Sequence, residues 1–239
     1  MRLQGQRVVV IGGTSGIGLA VAEGAAREGA RVVVASRRQE SVDAALKALP
    51  EGAEGRVLDA TDEDAVRDFF ARLGGYDHLV YTAGESLLLE TVAETSIVAA
   101  RRFLDTRLFG AYTAVKYGIG SIRPGGSVVL TTGTAGRRPM PGSSVASALC
   151  GAMESLTRAM AVELAPVRVN AVSPGVVRTE LWRDMPEADR EGLFLSSAES
   201  LPVGRVGEPA DVAEAYLYLM RAGYSTGSVV VVDGGGTLV

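Results

Sequence analysis

Glycine residues that could bind a phosphate group lie near the start of the chain. The segment Gly12 to Gly18 reads Gly-Gly-Thr-Ser-Gly-Ile-Gly and directly follows the apolar, β-branched run Val8 to Ile11. Glycine allows tight turns and close backbone approach, and the N–H groups at the start of a following helix attract anions. This context predicts pyrophosphate binding, although tight turns without a ligand also use glycine. The residues expected to contact the ligand are Gly12, Thr14, Ser15, Gly16, Ile17 and Gly18.

Two arginines follow the next apolar run. Arg37 and Arg38 come just after Arg31 to Ala35, and no acidic residue lies between that run and Glu40. A carboxylate at this point of a dinucleotide-binding unit binds the ribose 2′-hydroxyl, whereas arginine accommodates a 2′-phosphate. The pair could instead be solvated ahead of a helix. Together with the glycine turn, however, it favours NADP(H) over NAD(H).

These groups must be positioned by elements that alternate along the chain. Short apolar runs predict seven strands at Val8–Ile11, Arg31–Ala35, Arg56–Leu58, His78–Tyr81, Ser127–Leu130, Val167–Ala171 and Ser228–Val232. Longer segments between them predict helices at Leu19–Glu28, Gln39–Leu49, 62–73, 91–119, 146–165 and 209–222. Such alternation is typical of a doubly wound (Rossmann) parallel sheet with helices on both faces, here an α/β single domain over 1–239.

The segment 179–206 is the least regular part of the sequence. Loops at the carboxyl ends of parallel strands form the ligand crevice in this architecture, so a flexible lid is the functional interpretation. A surface excursion without a role is the alternative. Its apolar side chains suit an apolar small-molecule substrate or an interface; they are Leu181, Trp182, Met185, Leu193 and Phe194.

Composition excludes several classes of partner. The chain has 239 residues and a net charge of −4, from 24 basic and 28 acidic residues mixed along its length. Without a basic stripe, nucleic acid and anionic membrane surfaces are poor partners. The longest apolar runs, such as Val229 to Val232, are far too short to span a bilayer. The lone Cys150 cannot form an internal disulfide, which favours a cytoplasmic location. No metal site is predicted.

Beyond the glycine turn, later segments resemble, in order, the motifs of the short-chain dehydrogenase/reductase family, in its compact single-domain branch. These segments are Asp59-Ala60, Ala83-Gly84, Arg168 to Gly175, Val177 with Thr179, and Gly204 to Gly235. The resemblance covers nearly the whole chain. It implies a nicotinamide cofactor, with Asp59-Ala60 near the adenine and Val177 and Thr179 at the nicotinamide amide and the phosphates. The further contacts it implies are Ala83, Gly84, Pro174 and Gly175.

The family's catalytic residues are not present at the positions the resemblance gives them. Family members transfer hydride with the help of a serine, a tyrosine, a lysine four residues later, and an asparagine. Alignment places Gly133 at the serine, Val145 and Leu149 at the tyrosine and lysine, and Arg107 at the asparagine. A gap in the alignment leaves the register open, but no Tyr or Lys occurs between Arg123 and Ala215.

Other residues could substitute only weakly. Arg107 could polarise a carbonyl group electrostatically, and the hydroxyls of Thr131 and Thr134 lie near Gly133 in sequence. Three serines surround the vacant tyrosine position: Ser143, Ser144 and Ser147.

Four further residues that could do chemistry are assigned structural roles. The pair Tyr112 and Lys116 has the family's spacing, but it precedes the strand that its counterpart should follow. His78 opens a strand, and Cys150 has no histidine near it in sequence, so we expect both to serve packing.

The sequence therefore supports three functions. The first is an NADP(H)-dependent oxidoreductase with an unusual proton path, acting on substrates that need no strong acid, such as quinones or activated double bonds. The second is a silent nucleotide sensor or a partner subunit, and the third is another reaction on the same fold. The resemblance also implies a homotetramer or homodimer formed through the helices at 91–119 and 146–165.

Overall fold

Strands and helices alternate along the chain, as the apolar pattern predicts. The computed structural model describes residues 3–239. Its strands are β1 (Arg7–Ile11), β2 (Arg31–Ser36), β3 (Glu54–Val57), β4 (Tyr76–Tyr81), β5 (Ile122–Thr131), β6 (Arg168–Pro174) and β7 (Val229–Val232). Its α-helices are α1 (Gly16–Arg27), α2 (Gln39–Ala48), α3 (Glu63–Leu73), α4 (Ile97–Leu104), α5 (Gly110–Gly118), α6 (Ser144–Glu163), α7 (Glu187–Ser200) and α8 (Pro209–Arg221).

The strands form one parallel sheet in the order β3-β2-β1-β4-β5-β6-β7. The expected doubly wound α/β fold is therefore confirmed. The order of the strands reverses between β1 and β4, and the chain leaves these two strands in opposite directions. In such sheets the divergence opens a crevice at the carboxyl ends of the strands. None of the helices within residues 3–239 is long and apolar enough to cross a membrane.

Two apolar cores cover the two faces of the sheet. Side chains alternate along a strand, so Val9 and Ile11 of β1 pack under α3, α5 and α6, whereas Val8 and Val10 pack under α1, α2 and α8. All four are buried. Burial on both faces explains the unbroken apolar composition of the strands, since neither face of a covered sheet meets solvent.

The expected helix over 91–119 is present from Ile97 to Gly118, with a π-helical turn inside it, and is absent over 91–96. Residues 91–96 form turns in which the Thr91 hydroxyl donates to the Glu94 carboxylate over 2.6 Å, and Ser96 is the N-cap residue of α4. A π-helical turn (Asp105–Phe109) then separates α4 from α5. Threonine and serine favour such local hydrogen bonds over a helix interior, so the predicted helix is wrong over 91–96.

Other boundaries differ by a few residues. Helix α1 begins at Gly16, three residues before the predicted start, and β3 begins at Glu54, two residues before it. The segment 179–206 is more regular than expected, because it contains a 3₁₀ turn (Glu180–Trp182) and the whole of α7. Glu187 and Asp189 lie in the first turn of α7, where negative charge stabilises a helix.

His78 has the structural role expected of it. It is 1% exposed, and its two ring nitrogens lie 2.8 Å from Ser127 Oγ and 3.1 Å from Gln6 Oε1. A neutral ring with its proton on Nε2 can donate to Gln6 and accept from Ser127. Burial, reinforced by the nearby Arg168 cation, lowers the pKa of His78 from its ordinary 6.5 to about 4, against the opposing charge of Asp77.

This lowered pKa predicts a loss of stability in mild acid. His78 takes up a proton near pH 6.5 in the unfolded chain but only near pH 4 in the folded chain. Its neutral form therefore contributes fully to the free energy of unfolding above about pH 6.5, and this contribution is lost as the pH falls towards about pH 4. We expect the free energy of unfolding to drop by about 2 kcal/mol between pH 6.5 and about pH 5. Urea unfolding across this range would measure it.

His78→Gln is the matched control for this pH dependence, because the sequence holds no other histidine. This variant should be less stable at neutral pH but should lose most of the slope. An unchanged slope in His78→Gln would show that other groups cause the acid sensitivity.

Candidate functional site

A cavity of about 1380 Å³ opens at the carboxyl ends of the central strands. All of the residues predicted to bind the cofactor line it. They are Gly12, Thr14, Ser15, Gly16, Ile17, Gly18, Arg37, Arg38, Asp59, Ala60, Ala83, Gly84, Pro174, Gly175, Val177 and Thr179. The weak catalytic candidates Arg107, Thr131 and Thr134 line the same cavity. The residues predicted to bind the cofactor and the weak catalytic candidates therefore line one cavity.

The glycine turn needs glycine for two reasons. Gly12 has a φ of +87°, and a Cβ atom there would lie 2.5 Å from the backbone nitrogen of Ala83. A Cβ atom at Gly18 would collide with the carbonyl oxygen of Gly12. Helix α1 starts beside this turn with no acidic residue in its first turn and no side chain capping it. Its first N–H groups are thus available to an anion at the cavity wall.

The arginines at the end of β2 lie on the same wall. Arg37 donates to the Glu85 carboxylate over 2.9 Å, and Arg102 reaches the same oxygen over 3.2 Å. Arg38 is the N-cap residue of α2 and also lines the cavity. The acid nearest to Arg37 thus comes from the loop after β4, not from β2 itself. No pattern in the sequence indicates this pairing.

Asp59 shapes the turn after β3. Its Oδ1 accepts hydrogen bonds from the backbone N–H and the hydroxyl of Thr61, over 2.9 and 2.7 Å. Partial burial alone would raise its pKa, but these two bonds and the cations of Arg37 and Arg102 outweigh burial and lower the pKa of Asp59. The carboxylate therefore stays ionised and keeps the turn rigid beside Ala60.

Arg107 brings a cation to the deep end of the cavity. It lies in the π-helical turn, its guanidinium carbon is 4.1 Å from the centroid of the Phe103 ring, and its Nη2 donates to the carbonyl oxygen of Glu85. Its Nη1 is buried and has no hydrogen-bond partner among residues 3–239. Burial lowers the pKa of Arg107 to about 10, although Glu85 opposes the shift, so the side chain is still a cation at neutral pH.

The two threonine candidates differ in how they are engaged. The Thr131 hydroxyl donates to the carbonyl oxygen of Tyr81 over 2.6 Å and lies 2.7 Å from the Tyr216 hydroxyl. Burial raises the pKa of Tyr216 well above its ordinary value, so that hydroxyl stays protonated and can donate to Thr131. The Thr131 hydroxyl is therefore already engaged in hydrogen bonds within the protein. Thr134 begins a 3₁₀ turn, Thr134–Gly136, on the cavity wall.

Comparison with known proteins decides the family. Residues 12–237 match the family model described as enoyl-(acyl carrier protein) reductase. The short-chain dehydrogenase/reductase ATR9 of Stachybotrys chlorohalonatus is 36% identical over 258 residues, which cover 99% of this chain and 98% of that protein. This chain belongs to the short-chain dehydrogenase/reductase family.

Two solved structures of the family extend the likeness to the whole fold. One is a small-chain dehydrogenase in complex with NADPH, 35% identical, with a TM-score of 0.84 and coverage of 99% of this chain and 100% of that one. The other is the NADPH-bound structure of a short chain oxidoreductase from Pseudomonas aeruginosa PAO1 that contains an atypical catalytic center. It is 34% identical, with a TM-score of 0.88 and coverage of 96% of both chains.

The cavity lining favours one of the registers that the alignment left open for the family's tyrosine and lysine positions. Leu149 lines the cavity but Val145 does not, whereas Ala146 and Cys150, each one residue further on, both line it. Ala146 and Cys150 are four residues apart on one face of α6, as the family's pair requires. A Cβ atom at Gly133 would lie 3.2 Å from Cys150 Sγ. The geometry therefore favours Ala146 and Cys150 over Val145 and Leu149.

Cys150 is packed, as expected, but it also borders the cavity. It is 7% exposed, and burial raises the pKa of its thiol above the ordinary value, against weaker opposing hydrogen bonds from Thr132 and Gly136. The thiol is therefore neutral. The sequence did not indicate this position, because the gap in the alignment left the register open.

The other side chains considered from sequence stand apart from the cavity wall, with one exception. Tyr112 is half exposed, and Lys116 pairs with Glu63 over 2.7 Å. Ser144 and Ser147 do not line the cavity. Ser143, the exception, does line it, but its hydroxyl donates to the carbonyl oxygen of Met140 over 2.6 Å.

The segment 179–206 covers one side of the cavity, but only some of its apolar side chains line the cavity. Leu181 and Trp182 line the cavity, and the Trp182 indole N–H donates to the carbonyl oxygen of Val177 over 2.9 Å. Phe194 packs edge-on against Trp182 with their centroids 6.4 Å apart. Met185 and Leu193 pack against the same small cluster. Most of these side chains hold the segment together and do not face the cavity.

Proposed function

We propose that the chain is an NADP(H)-dependent oxidoreductase that works without the family's Tyr-x-x-x-Lys pair. The observation that carries this proposal is the single cavity that joins the glycine turn and the β2 arginines to Arg107. Two relatives of similar fold are NADPH complexes, which supports the same cofactor here.

The residues present fit this cofactor at several points. The positions of Gly12 and Gly18 leave space that a side chain would fill, and the start of α1 offers N–H groups to the pyrophosphate. Arg37 and Arg38 carry the charge and donors that a 2′-phosphate needs. Bound there, the nicotinamide would supply or accept a hydride.

The remaining assignments follow the family resemblance. Asp59 and Ala60 would contact the adenine, and Val177 and Thr179 would contact the nicotinamide amide and the phosphates. Ala83, Gly84, Pro174 and Gly175 complete the proposed binding site.

Hydride transfer in this site would lack a strong proton donor. Loss of a positioned acid typically costs about 10² to 10⁴ in rate. Substrates that can accept hydride without immediate protonation, such as quinones or activated double bonds, would show the smallest loss of rate. Leu181 and Trp182, together with Leu87, Met140 and Leu149, give the cavity apolar walls that suit an apolar small molecule.

A nucleotide sensor or partner subunit is the second candidate. The specific observation in its favour is that Gly133, Ala146 and Cys150 supply none of the usual catalytic groups. Such a protein would keep nucleotide binding but would not turn over.

Self-association and location extend the proposal. Apolar side chains are exposed on α4 and in the π-helical turn, with Val98 76% and Phe109 57% exposed, and Val162 of α6 is 82% exposed. They would suit a homodimer or homotetramer formed through these helices. A cytoplasmic location is proposed from the lone Cys150, since the chain cannot form an internal disulfide.

Titration with NADPH, followed by nucleotide fluorescence and with NADH as the control, tests the proposal. Since hydrogen bonds to charged groups contribute about 1.5–3 kcal/mol each, we expect NADPH to bind about 10- to 100-fold more tightly than NADH. Failure of both nucleotides to bind would remove hydride chemistry and leave a partner-binding role. Selective binding without turnover on any quinone, enone or ketone would instead favour the sensor.

A further inference from the structure

One nitrogen of the Arg107 guanidinium, Nη1, has no hydrogen-bond partner among residues 3–239. Nη2 is committed to the carbonyl oxygen of Glu85, and the group lies against the Phe103 ring and the backbone of Gly84. A Cβ atom at Gly84 would lie 2.9 Å from Nη2, so glycine is what admits the arginine. Nη1 is buried without a partner, and a buried donor without a partner is costly unless a ligand uses it.

The charge of Arg107 is also left without a counter-ion. Among residues 3–239, no carboxylate oxygen lies within 4.0 Å of its guanidinium nitrogens. The nearest acid, Glu85, turns its carboxylate to Arg37 and Arg102 instead. Burial raises the pKa of the neighbouring Tyr81 hydroxyl and of the Cys150 thiol, so both are neutral. The deep end of the cavity is therefore positive.

We propose that Nη1 of Arg107 binds a single anionic oxygen that forms on the substrate, and that the substrate is a conjugated carbonyl compound, an enone or a quinone. This inference rests on the proposed function and names its substrate class. Arg107 would act as a catalytic residue through electrostatic stabilisation of the enolate or phenolate.

The engagement of Nη2 by the Glu85 carbonyl favours a single oxygen on Nη1 over a carboxylate. Carboxylates bind arginine best through two parallel N–H···O bonds, and the Glu85 carbonyl already takes Nη2. The Phe103 ring against the guanidinium and the Glu85 carbonyl at Nη2 together favour this one orientation of the group. Fixed donors aimed at a developing charge are the arrangement that stabilises an oxyanion.

The shortage of proton donors favours a conjugated substrate over a simple ketone. An alkoxide is a strong base and needs a proton as it forms. The Tyr81 hydroxyl donates to the carbonyl oxygen of Thr106, and the Tyr216 hydroxyl is engaged with Thr131, so neither is available. An enolate or phenolate spreads its charge and can persist beside a cation.

The proposed step balances without an additional catalyst. Hydride adds to the β-carbon of an enone, the C=C electron pair moves towards the oxygen, and the enolate oxygen lies on Arg107. Water then protonates the α-carbon, so that NADPH, the enone and one proton give NADP⁺ and the saturated ketone. For a quinone, the same hydride and one proton give the hydroquinone.

Binding of para-nitrophenol provides a test that needs no turnover, because the absorbance of this phenol reports whether its hydroxyl is ionised. We expect the bound phenol to ionise at a pH at least about one unit lower than the free phenol, which corresponds to about tenfold preference for the phenolate. Arg107→Met should lose this shift. Arg101→Met, which removes an exposed arginine of α4 that does not line the cavity, should keep it.

Comparison ligands on the native protein keep the test decisive if Arg107→Met fails to fold. The non-ionising para-nitroanisole should bind at least about tenfold more weakly than the phenolate. Equal binding of the two, or tighter binding of para-nitrobenzoate than of the phenolate, would overturn the inference. NADPH titration of the same sample separates the two proposals: nucleotide binding without a phenol shift rejects only the role of Arg107.

Discussion

Restoring the family's catalytic residues in the register that the cavity lining favours is expected to raise ketone reduction by about 10²- to 10⁴-fold over the native chain. The variant carries Gly133→Ser, Ala146→Tyr and Cys150→Lys. A lysine four residues after the tyrosine lies on the same helical face and lowers the tyrosine pKa, which supplies the missing proton donor. The rate of NADPH oxidation with a panel of ketones would measure the gain.

The three changes depend on one another sterically and electrostatically. A Cβ atom at position 133 would lie 3.2 Å from Cys150 Sγ, so the serine is best accommodated once the thiol is removed. Arg107 would place a second cation near the new lysine and lower the lysine pKa. Adding Arg107→Asn should therefore increase the gain further, and the variant should be measured with and without it.

A pair in the neighbouring register is the matched control. Val145→Tyr with Leu149→Lys installs the same residues with the same spacing, but Val145 does not line the cavity and Leu149 is only 6% exposed. We expect no gain of activity from this pair and a loss of stability from the buried lysine. If both variants fold and bind NADPH but neither reduces a ketone, the cavity does not accept a ketone.

The register of α6 shows where prediction from the sequence ends. The strands and the glycine turn could be predicted because their composition follows from burial on two faces and from backbone conformation. The start of α6 could not, because the intervening chain contains the 3₁₀ turn Thr134–Gly136 and a reversal at Gly142, where φ is +82°. One residue more or less in such a loop moves every side chain of the next helix by about 100°.

The pairing of Arg37 with Glu85 escaped prediction for a related reason. The two residues are 48 apart in sequence and meet only because β2 and β4, on either side of β1, bring their loops to one crevice. The same holds for Arg107, whose unpartnered Nη1 follows from Phe103, Gly84 and the Glu85 carbonyl together. Residue types and spacing indicated an arginine in the site, but only the tertiary contacts show which of its donors is unused.

The second large effect is expected at the proposed 2′-phosphate contact. Arg37→Glu should weaken NADPH binding by about 100-fold, because it removes a charged hydrogen bond and adds a repelling carboxylate. NADH, which lacks the phosphate, should bind with nearly unchanged affinity. Fluorescence titrations of both nucleotides at two salt concentrations would measure the change, and salt should weaken NADPH binding more in the native chain than in the variant.

Glu85→Gln should act in the opposite direction. In the native chain the Glu85 carboxylate competes with the 2′-phosphate for Arg37, whose side chain is 45% exposed. Ion pairs with this exposure contribute about 0.2–1 kcal/mol, so releasing Arg37 should tighten NADPH binding by up to about fivefold. Arg102→Gln leaves the Arg37–Glu85 pair in place and should change little. If Glu85→Gln weakened NADPH binding instead, Glu85 would be holding Arg37 in its binding position, and the pair would be part of the nucleotide site.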